Sequence, residues 1–373
     1  MGPDFHHRRE RLTRRFESLK IDGFLVSNPI NVTYLTGFTG EASFLLVGTS
    51  DALLVSDARF GIQIEEECTG LRTHIRTMNE TTLQAVGQCL DKLGWRSVGV
   101  ESGNVTIAVH EALKEASKYV NWAPTKREVE TLRAVKDEWE IGQIREAIAA
   151  AERAFGMLKA MMSPADTEVD LSDALESYVR KSGGRGTSFQ SIVAIGERSA
   201  LAHAPPTPRA ISTGAFMLVD WGAHNGLYRS DLTRILRPRT EWFHPENMGF
   251  DEGRLEAVYK AVLTAQQRAI AAIRPGVKGC DIDAVARGVL ADAGLIDYFT
   301  HGLGHGLGLE VHEAPSIRPK VEDTLEAGNV IAIEPGVYFQ GWGGVRIEDD
   351  ILVTPEGAEV LTSVPRDWET TII

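Results

Sequence analysis

The sequence predicts an α/β (α+β) protein of two domains, the second built twice over from one helix-plus-strands unit. Three observations carry this. Helical and strand-like apolar patterns alternate to about residue 123, a charged stretch at 125–140 reads as a linker entering a long helix, and the remainder matches itself. The domain limits that follow are 1–128 and 129–373. A chain of 373 residues is long enough for each domain to bury its own core.

Phe5, Leu12, Phe16 and Leu19 recur at helical spacing, and the chain then enters the strand-like run GFLVS, stopped by Asn28-Pro29. ASFLLVG and ALLVSD follow, separated by Thr49-Ser50-Asp51, which predicts a hairpin. The charged stretch TKREVETLRAVKDEWE leads into a helix expected to run to Met162 and to end at Pro164. Beyond it, SPADTEVDLSDALESYVRKSG (163–183) aligns with RPGVKGCDIDAVARGVLADAG (274–294) at constant offset, pairing Pro164 with Pro275, Asp170 with Asp281, Leu171 with Ile282 and Gly183 with Gly294. GAFMLVDWG aligns with GNVIAIEPG, pairing Asp220 with Glu334, and GLYRSD aligns with GGVRIE, pairing Arg229 with Arg346 and Asp231 with Glu348. Copies related by a pseudo-twofold axis would bring equivalent carboxylates together at its centre.

Composition narrows the function. Hydrophobic residues at 43% and charged residues at 24% are those of a soluble globular protein. A formal net charge of -13 argues against nucleic acid or an anionic membrane face as partner, since phosphate contacts demand clustered Lys and Arg. The N-terminal MGPDFHHRRERLTRRF is basic without the apolar core of a signal peptide, and no later run approaches membrane-spanning length, so a cytoplasmic location is expected. Cys68, Cys89 and Cys280 are odd in number and scattered, which suits reduced thiols.

Acids within strands carry the chemistry. FMLVDWGAHNGLYRSDLTRIL reads as a hairpin turning at Asn225-Gly226, which pairs His224 with Leu227 and sets Asp220 directly opposite Asp231. VIAIEPGVYFQGWGGVRIEDDILV permits the same count through a loop at Gln340 to Trp342, setting Glu334 opposite Glu348, with Pro335 as the residue that puts this register at risk. Arg229, Arg234 and Arg346 are near enough in sequence to neutralise single acids. Four acids at two hairpin ends instead point to a pair of divalent cations, because like charges facing each other are destabilising unless a cation lies between them.

HGLGHGLGLEVHE, residues 301–313, matches neither a phosphate-binding glycine loop nor an H-E-x-x-H helix. Its alternating glycines suit an extended or irregular segment whose backbone passes close to a ligand. His6, His7, His74, His110, His224 and His244 stand alone and read as surface or core histidines.

LAHAPPT, VDWGAHNGLYRSDLTR, HGLGHGLGLEVHEAP, IAIEPGVY and GGVRIEDDILVT together resemble the pita-bread metallopeptidases, in their Xaa-Pro aminopeptidase and Xaa-Pro dipeptidase (prolidase) branch, and occur in that family's order. DGFLVSNPINVTYLTGFTG and VSDARF extend the resemblance to a creatinase-like N-terminal α/β domain ahead of the pita-bread catalytic domain. The resemblance implies that Asp220, Asp231, His305, Glu334 and Glu348 ligate two metal ions, with Asp231 and Glu348 bridging and Glu334 also shuttling a proton. It implies that His203, His301 and His312 contact substrate and the developing oxyanion, and that Arg346 orients a carboxylate. Two metals lower the pKa of a shared water that attacks the peptide carbonyl. Manganese is expected, with cobalt or zinc as alternatives, since oxygen-rich shells with one imidazole suit it.

The activity implied is removal of the residue before proline from short peptides by an Xaa-Pro aminopeptidase, with a strict dipeptidase as alternative. A methionine-type aminopeptidase, a lyase and a non-catalytic protein-binding module are the other readings of the scaffold. Proline-containing peptides are the expected partners and a homodimer the expected assembly, its N-terminal domain limiting access to a neighbour's site. Trp221 and Leu227 depart from the residues commonest there, which bears on pocket shape.

Overall fold

The computed structural model of the chain describes residues 2–242 and 250–373. His244 lies outside the described residues. Two compact units divide the chain, Met1–Arg133 and Ala134–Ile373. No helix of the described residues is long and apolar enough to cross a membrane.

In the first unit the opening helical segment splits into α1 (Phe5–Thr13) and α2 (Phe16–Leu19), which the left-handed Lys20 ends. After β1 (Gly23–Val26), Asn28-Pro29 starts a helix rather than merely stopping a strand. Asn28 caps α3 (Pro29–Thr36) by accepting the Ile30 N–H, and Pro29 occupies the first position, where its missing N–H costs nothing. β2 (Phe44–Gly48) and β3 (Ala52–Ser56) form the expected hairpin. α4 (Gly61–Glu67), β4 (Arg72–Ile75), α5 (Thr82–Leu93), β5 (Ser97–Glu101), α6 (Ile107–Ala116) and β6 (Asn121–Thr125) complete the alternation. The sheet order is β4-β3-β2-β1-β5-β6, antiparallel only where β2 is a partner. Leu25, Leu46, Val55, Leu90, Val98 and Leu113 meet in one of its cores.

The stretch that reads as a linker holds a helix of its own, α7 (Glu128–Ala134), because Val129 and Leu132 lie three apart on one turn and are buried beneath its charges. The long helix then begins afresh. Asp137 and Glu140 close a capping box at the start of α8 (Glu138–Met161), which stops at Met162, two residues before Pro164, as the sequence predicts.

The second unit repeats itself. Its first copy is α8, α9 (Glu168–Lys181) and the strands β7 (Gly186–Thr187), β8 (Ile192–Ile195), β9 (Met217–Trp221), β10 (Ala223–Asn225), β11 (Tyr228–Arg229) and β12 (Leu232–Leu236). The second copy is α10 (Glu252–Ala272), α11 (Gly279–Asp292), β13 (Gly304–Gly306), β14 (Glu313–Ile317), β15 (Val330–Ile333), β16 (Gly336–Phe339), β17 (Gly343–Arg346), β18 (Asp349–Thr354) and β19 (Gly357–Val360). The strands form sheets β12-β9-β8, β11-β10-β7, β14-β13-β15-β18-β19 and β16-β17. An antiparallel bridge between Thr233 and Glu348 joins the two copies.

Packing separates the faces of β9. Trp221 is fully buried, stacks on Phe155 of α8 with ring centroids 4.1 Å apart, and donates Nε1–H to the Ala151 carbonyl at 3.0 Å. Successive side chains leave a strand on opposite faces, so Asp220 points the other way, and Trp221 shapes the core rather than a pocket. Leu227 sits partly exposed at a hairpin tip.

Candidate metal centre

Strand registers bring the acids together, although the first register differs from the expected one. Asn225 pairs with Tyr228 and His224 with Arg229, so the turn is Gly226-Leu227, and the ladder beyond it sets Asp220 opposite Thr233. Asp231 is therefore diagonal to Asp220 rather than opposite it. A turn at Asn225-Gly226 would need left-handed backbone at both residues. Here Gly226 alone takes it, at φ +57°, while Asn225 stays in its strand, which is the arrangement of a turn with glycine first. Thr233 and Asp231 are two apart and share a face, so Asp231 still reaches the cluster.

The second hairpin has the expected register. Phe339 pairs with Gly343 around the loop at 340–342, Gly336 pairs with Arg346, and on the far side Ile333 pairs with Asp349 in the same count. Glu334 therefore faces Glu348, and Pro335 causes no slip.

His305 occupies the middle of β13, between β14 and β15. Its glycine neighbours answer to backbone, not to a ligand. A Cβ on Gly304 would lie 1.9 Å from the Ala332 carbonyl oxygen, and one on Gly306 would lie 2.1 Å from that of Ala314. Only glycine allows the three strands to approach this closely around the histidine.

Ligand atoms of Asp220, Asp231 and Glu348 lie within 4.8 Å of one another, as do those of His305, Glu334 and Glu348, and those of Asp231, His305 and His312. His305 Nε2 is 3.8 Å from Asp231 Oδ2 and 3.7 Å from Glu334 Oε1. Asp220 Oδ1, Asp231 Oδ1 and Glu348 Oε1 are buried with no hydrogen-bond partner among the described residues. A native core does not leave three carboxylate oxygens unmatched at one point. These donors, hard oxygens plus one or two imidazoles, fit divalent cations.

One guanidinium serves this cluster directly. Arg346 donates from Nη2 to Asp220 Oδ2 at 2.5 Å, from Nε to Thr233 Oγ1 at 3.1 Å, and from Nη1 to Tyr338 Oη at 2.8 Å and the Ala202 carbonyl at 3.2 Å. Thr233 in turn donates its hydroxyl hydrogen bond to Glu348 Oε2 at 2.7 Å. Of the other two arginines near in sequence, Arg229 bonds the Ser188 and Leu309 carbonyls, and Arg234 bonds Asp349 and the Glu348 carbonyl. Burial, and then the negative charge of Glu348 and Asp220, pushes the Asp231 carboxyl well above the usual range. Burial does the same to Glu348, with Glu334 and Asp220 adding to it. Glu334 is pushed up to about 8 by burial, against the pull of Arg346. The histidines move the opposite way, burial lowering His305 to about 3 and His301 to about 4. Without a cation the pocket therefore favours neutral groups; a bound dication reverses that preference.

The remaining predicted histidines surround the cluster. His312 meets His305 edge to face with ring centroids 4.2 Å apart, and burial lowers its pKa. His301 places Nδ1 2.7 Å from the Gly302 carbonyl and Nε2 2.9 Å from Tyr338 Oη. Because a carbonyl can only accept, Nδ1 carries the proton and Nε2 accepts from the tyrosine. His203 is exposed, within electrostatic range of both His301 and His312.

Sequence reasoning missed several residues. Thr233 shares the face of Asp231 by two-residue spacing, and Tyr338 follows Glu334 in IAIEPGVY; those spacings were the available signals. Asp350, fully buried, accepts the Asp231 N–H at 3.1 Å, and its mark was a third consecutive acid in an otherwise apolar strand. Lys136 had no local mark. Its Nζ pairs with Glu313 at 2.7 Å, with both side chains almost wholly buried, and so anchors the strand that follows His312.

Comparison with known proteins places this geometry in a family. Residues 142–355 match the model of metallopeptidase family M24, and residues 8–135 match the creatinase/prolidase N-terminal domain. The chain belongs to metallopeptidase family M24. It is an M24 hydrolase with a creatinase-type N-terminal domain followed by a pita-bread domain. Its structure is similar to that of an Xaa-Pro dipeptidase from Bacillus anthracis, at 34% identity and TM-score 0.91, covering 99% of this chain and 100% of the other. It is also similar to an X-Pro aminopeptidase from Thermotoga maritima, at 31% identity and TM-score 0.85, covering 95% and 99%. In sequence it is 30% identical over 362 residues to an Xaa-Pro dipeptidase from Pyrococcus furiosus, covering 96% of this M24 chain and 99% of the relative.

Proposed function

We propose that this M24 enzyme hydrolyses the Xaa-Pro bond of short peptides with two divalent cations held by Asp220, Asp231, His305, Glu334 and Glu348. The observation that carries this reading is the convergence of three buried, partnerless carboxylate oxygens beside His305. Asp231, Glu348 and His305 each belong to two of the ligand groups, and of these three the two carboxylates carry a second oxygen to offer a second ion, which supports bridging roles for them. Oxygen donors with a single committed imidazole favour manganese, with cobalt or zinc as the alternatives. When bound, two such ions supply an acidified water and polarise the substrate carbonyl.

The chain's own groups do the rest. Glu334, as a carboxylate whose burial raises its affinity for a proton, accepts the proton of the attacking water and passes it to the leaving nitrogen. His312 and His203 offer N–H donors to the carbonyl oxygen as it gains charge, and His301, its tautomer held by Gly302 and Tyr338, flanks the scissile bond. Arg346 orients Asp220 directly and Glu348 through Thr233. Proline presents a tertiary amide without an N–H, so the site must recognise the ring instead.

The similarity to Xaa-Pro dipeptidases of Bacillus anthracis and Pyrococcus furiosus supports the dipeptidase reading over the aminopeptidase reading that leads from sequence, while the X-Pro aminopeptidase of Thermotoga maritima supports the latter. The test is hydrolysis by metal-free protein reconstituted with Mn²⁺, offered Xaa-Pro dipeptides, Xaa-Pro-Xaa tripeptides and alanine counterparts. Cleavage confined to proline substrates is expected, and the dipeptide-to-tripeptide ratio chooses between the readings. Equal cleavage of the alanine peptides would overturn the specificity. The proposed homodimer is tested by light scattering at assay concentration, where a monomer mass would reject it.

A further inference from the structure

Pro335 separates Glu334 from Gly336 inside a register that runs unbroken from the Ile333–Asp349 pair to the Gly336–Arg346 pair. Ile347 donates its N–H to the Pro335 carbonyl at 3.4 Å, which marks residues 335 and 347 as a pair that in an ordinary antiparallel ladder exchanges two hydrogen bonds. The return bond cannot form, because proline has no N–H. A buried carbonyl without its donor weakens the ladder at the point where two acids face each other.

The missing donor comes from another element. Gln266 of α10 is 0% exposed, and its Nε2 lies 3.2 Å from the Ile347 carbonyl oxygen, 3.3 Å from that of Ile333 and 2.9 Å from Asp349 Oδ2. All three neighbours are acceptors, while Oε1 faces the Arg366 guanidinium at 3.5 Å, so the orientation of the amide follows from its surroundings. Ile333 and Ile347 are the residues immediately before Glu334 and Glu348. Asp349, the third acceptor, is itself held by Arg234, Arg366 and Thr362, which gives the amide a rigid anchor.

We propose that Gln266 is a positioning residue that stands in for the N–H Pro335 lacks and so keeps Glu334 and Glu348 face to face. The inference rests on the reading of these two glutamates as metal ligands. It explains why a proline beside one acid causes no slip: the donor the strand loses is restored from the helix. Glu334 itself keeps its backbone bond, donating to the Leu303 carbonyl at 2.8 Å, so the correction is needed only at Ile347.

The experiment is a double-mutant cycle in the full-length protein with Gln266→Met and Pro335→Ala, read by Mn²⁺ binding isotherms and by melting of the metal-free protein. Gln266→Met is expected to weaken Mn²⁺ binding about 10–100-fold, as losing a support of a ligand typically does. Adding Pro335→Ala returns a backbone N–H to the ladder and is expected to bring affinity back to within about threefold of Pro335→Ala alone. Wild-type affinity in Gln266→Met, or a loss that Pro335→Ala leaves untouched, would overturn the proposal. If Gln266→Met does not fold, recovery of folding in the double variant upholds it and continued failure overturns it. If the wild-type protein binds no Mn²⁺, the ligand reading fails, and the same rescue, present or absent in the melting temperatures, decides the surrogate bond separately.

Discussion

Thr233 stands between Arg346 and Glu348, accepting from Nε at 3.1 Å and donating to Oε2 at 2.7 Å. Because Arg346 can only donate, the threonine proton must point at Glu348, and that carboxylate is met in its acceptor form. Thr233→Val keeps the shape and removes both bonds. We expect about a 10–100-fold loss of metal affinity, with Thr233→Ser close to wild type. Calorimetric titration of both variants with Mn²⁺ checks this, and an unchanged valine variant would reject the relay.

Asp231→Asn removes one of the charges crowded into the pocket. The metal-free variant should melt no lower than wild type, since desolvation and like charge already disfavour the ionised aspartate. Adding Mn²⁺ should raise the melting temperature of wild type but not of the variant, and activity should be lost with the shift. A variant that binds two ions and turns over would exclude Asp231 as a ligand.

The pH dependence of the metal-free protein has a definite sign. Glu334 is raised from 4.5 to about 8, so the folded state binds more protons than the unfolded state across that interval, and stability contributed by this group falls as pH rises from 4.5 to about 8. Protons and cation compete for the same carboxylate, so Mn²⁺ affinity should rise over the same interval. Urea melts with and without Mn²⁺ at pH 6 and pH 8 measure both; a stabilising effect of metal that shrinks as pH rises would contradict the scheme.

His312→Ala should lower kcat more than it weakens metal binding, because its proposed partner is the charge that develops on the substrate oxygen. Its ring also lies within ligand distance of the Asp231 and His305 donors. Loss of one of two metals on measuring content would therefore move it among the ligands.

Trp221→Ala tests whether the face of β9 opposite Asp220 is core alone. A stability loss of about 3–5 kcal/mol is expected from the vacated aromatic volume. Specificity between proline and alanine peptides should not change at temperatures where the variant is folded. A shift in that ratio would show that Trp221 reaches the pocket.

Most of the candidate site was legible because the proposed metal ligation demands a few residue types at strand ends, and duplication displayed them twice. Glu334 opposite Glu348 could be counted from the loop at 340–342. Asp220 opposite Asp231 could not, since Asn225-Gly226 and Gly226-Leu227 are both acceptable turns locally and differ by two residues of register. The helix α7 was hidden in a charged stretch, because two large apolar side chains, Val129 and Leu132, in seven residues are too weak a pattern.

By itself the sequence determined the alternation of elements, the duplicated unit and the acids and histidines proposed for the site, because these depend on local periodicity and on residue type. The tertiary structure alone decided which turn sets the first hairpin, which of three arginines serves the acids, and that Thr233, Tyr338, Asp350 and Gln266 support them. Those relationships join atoms up to 126 residues apart, and a buried polar atom takes whichever partner the packed backbone brings within reach.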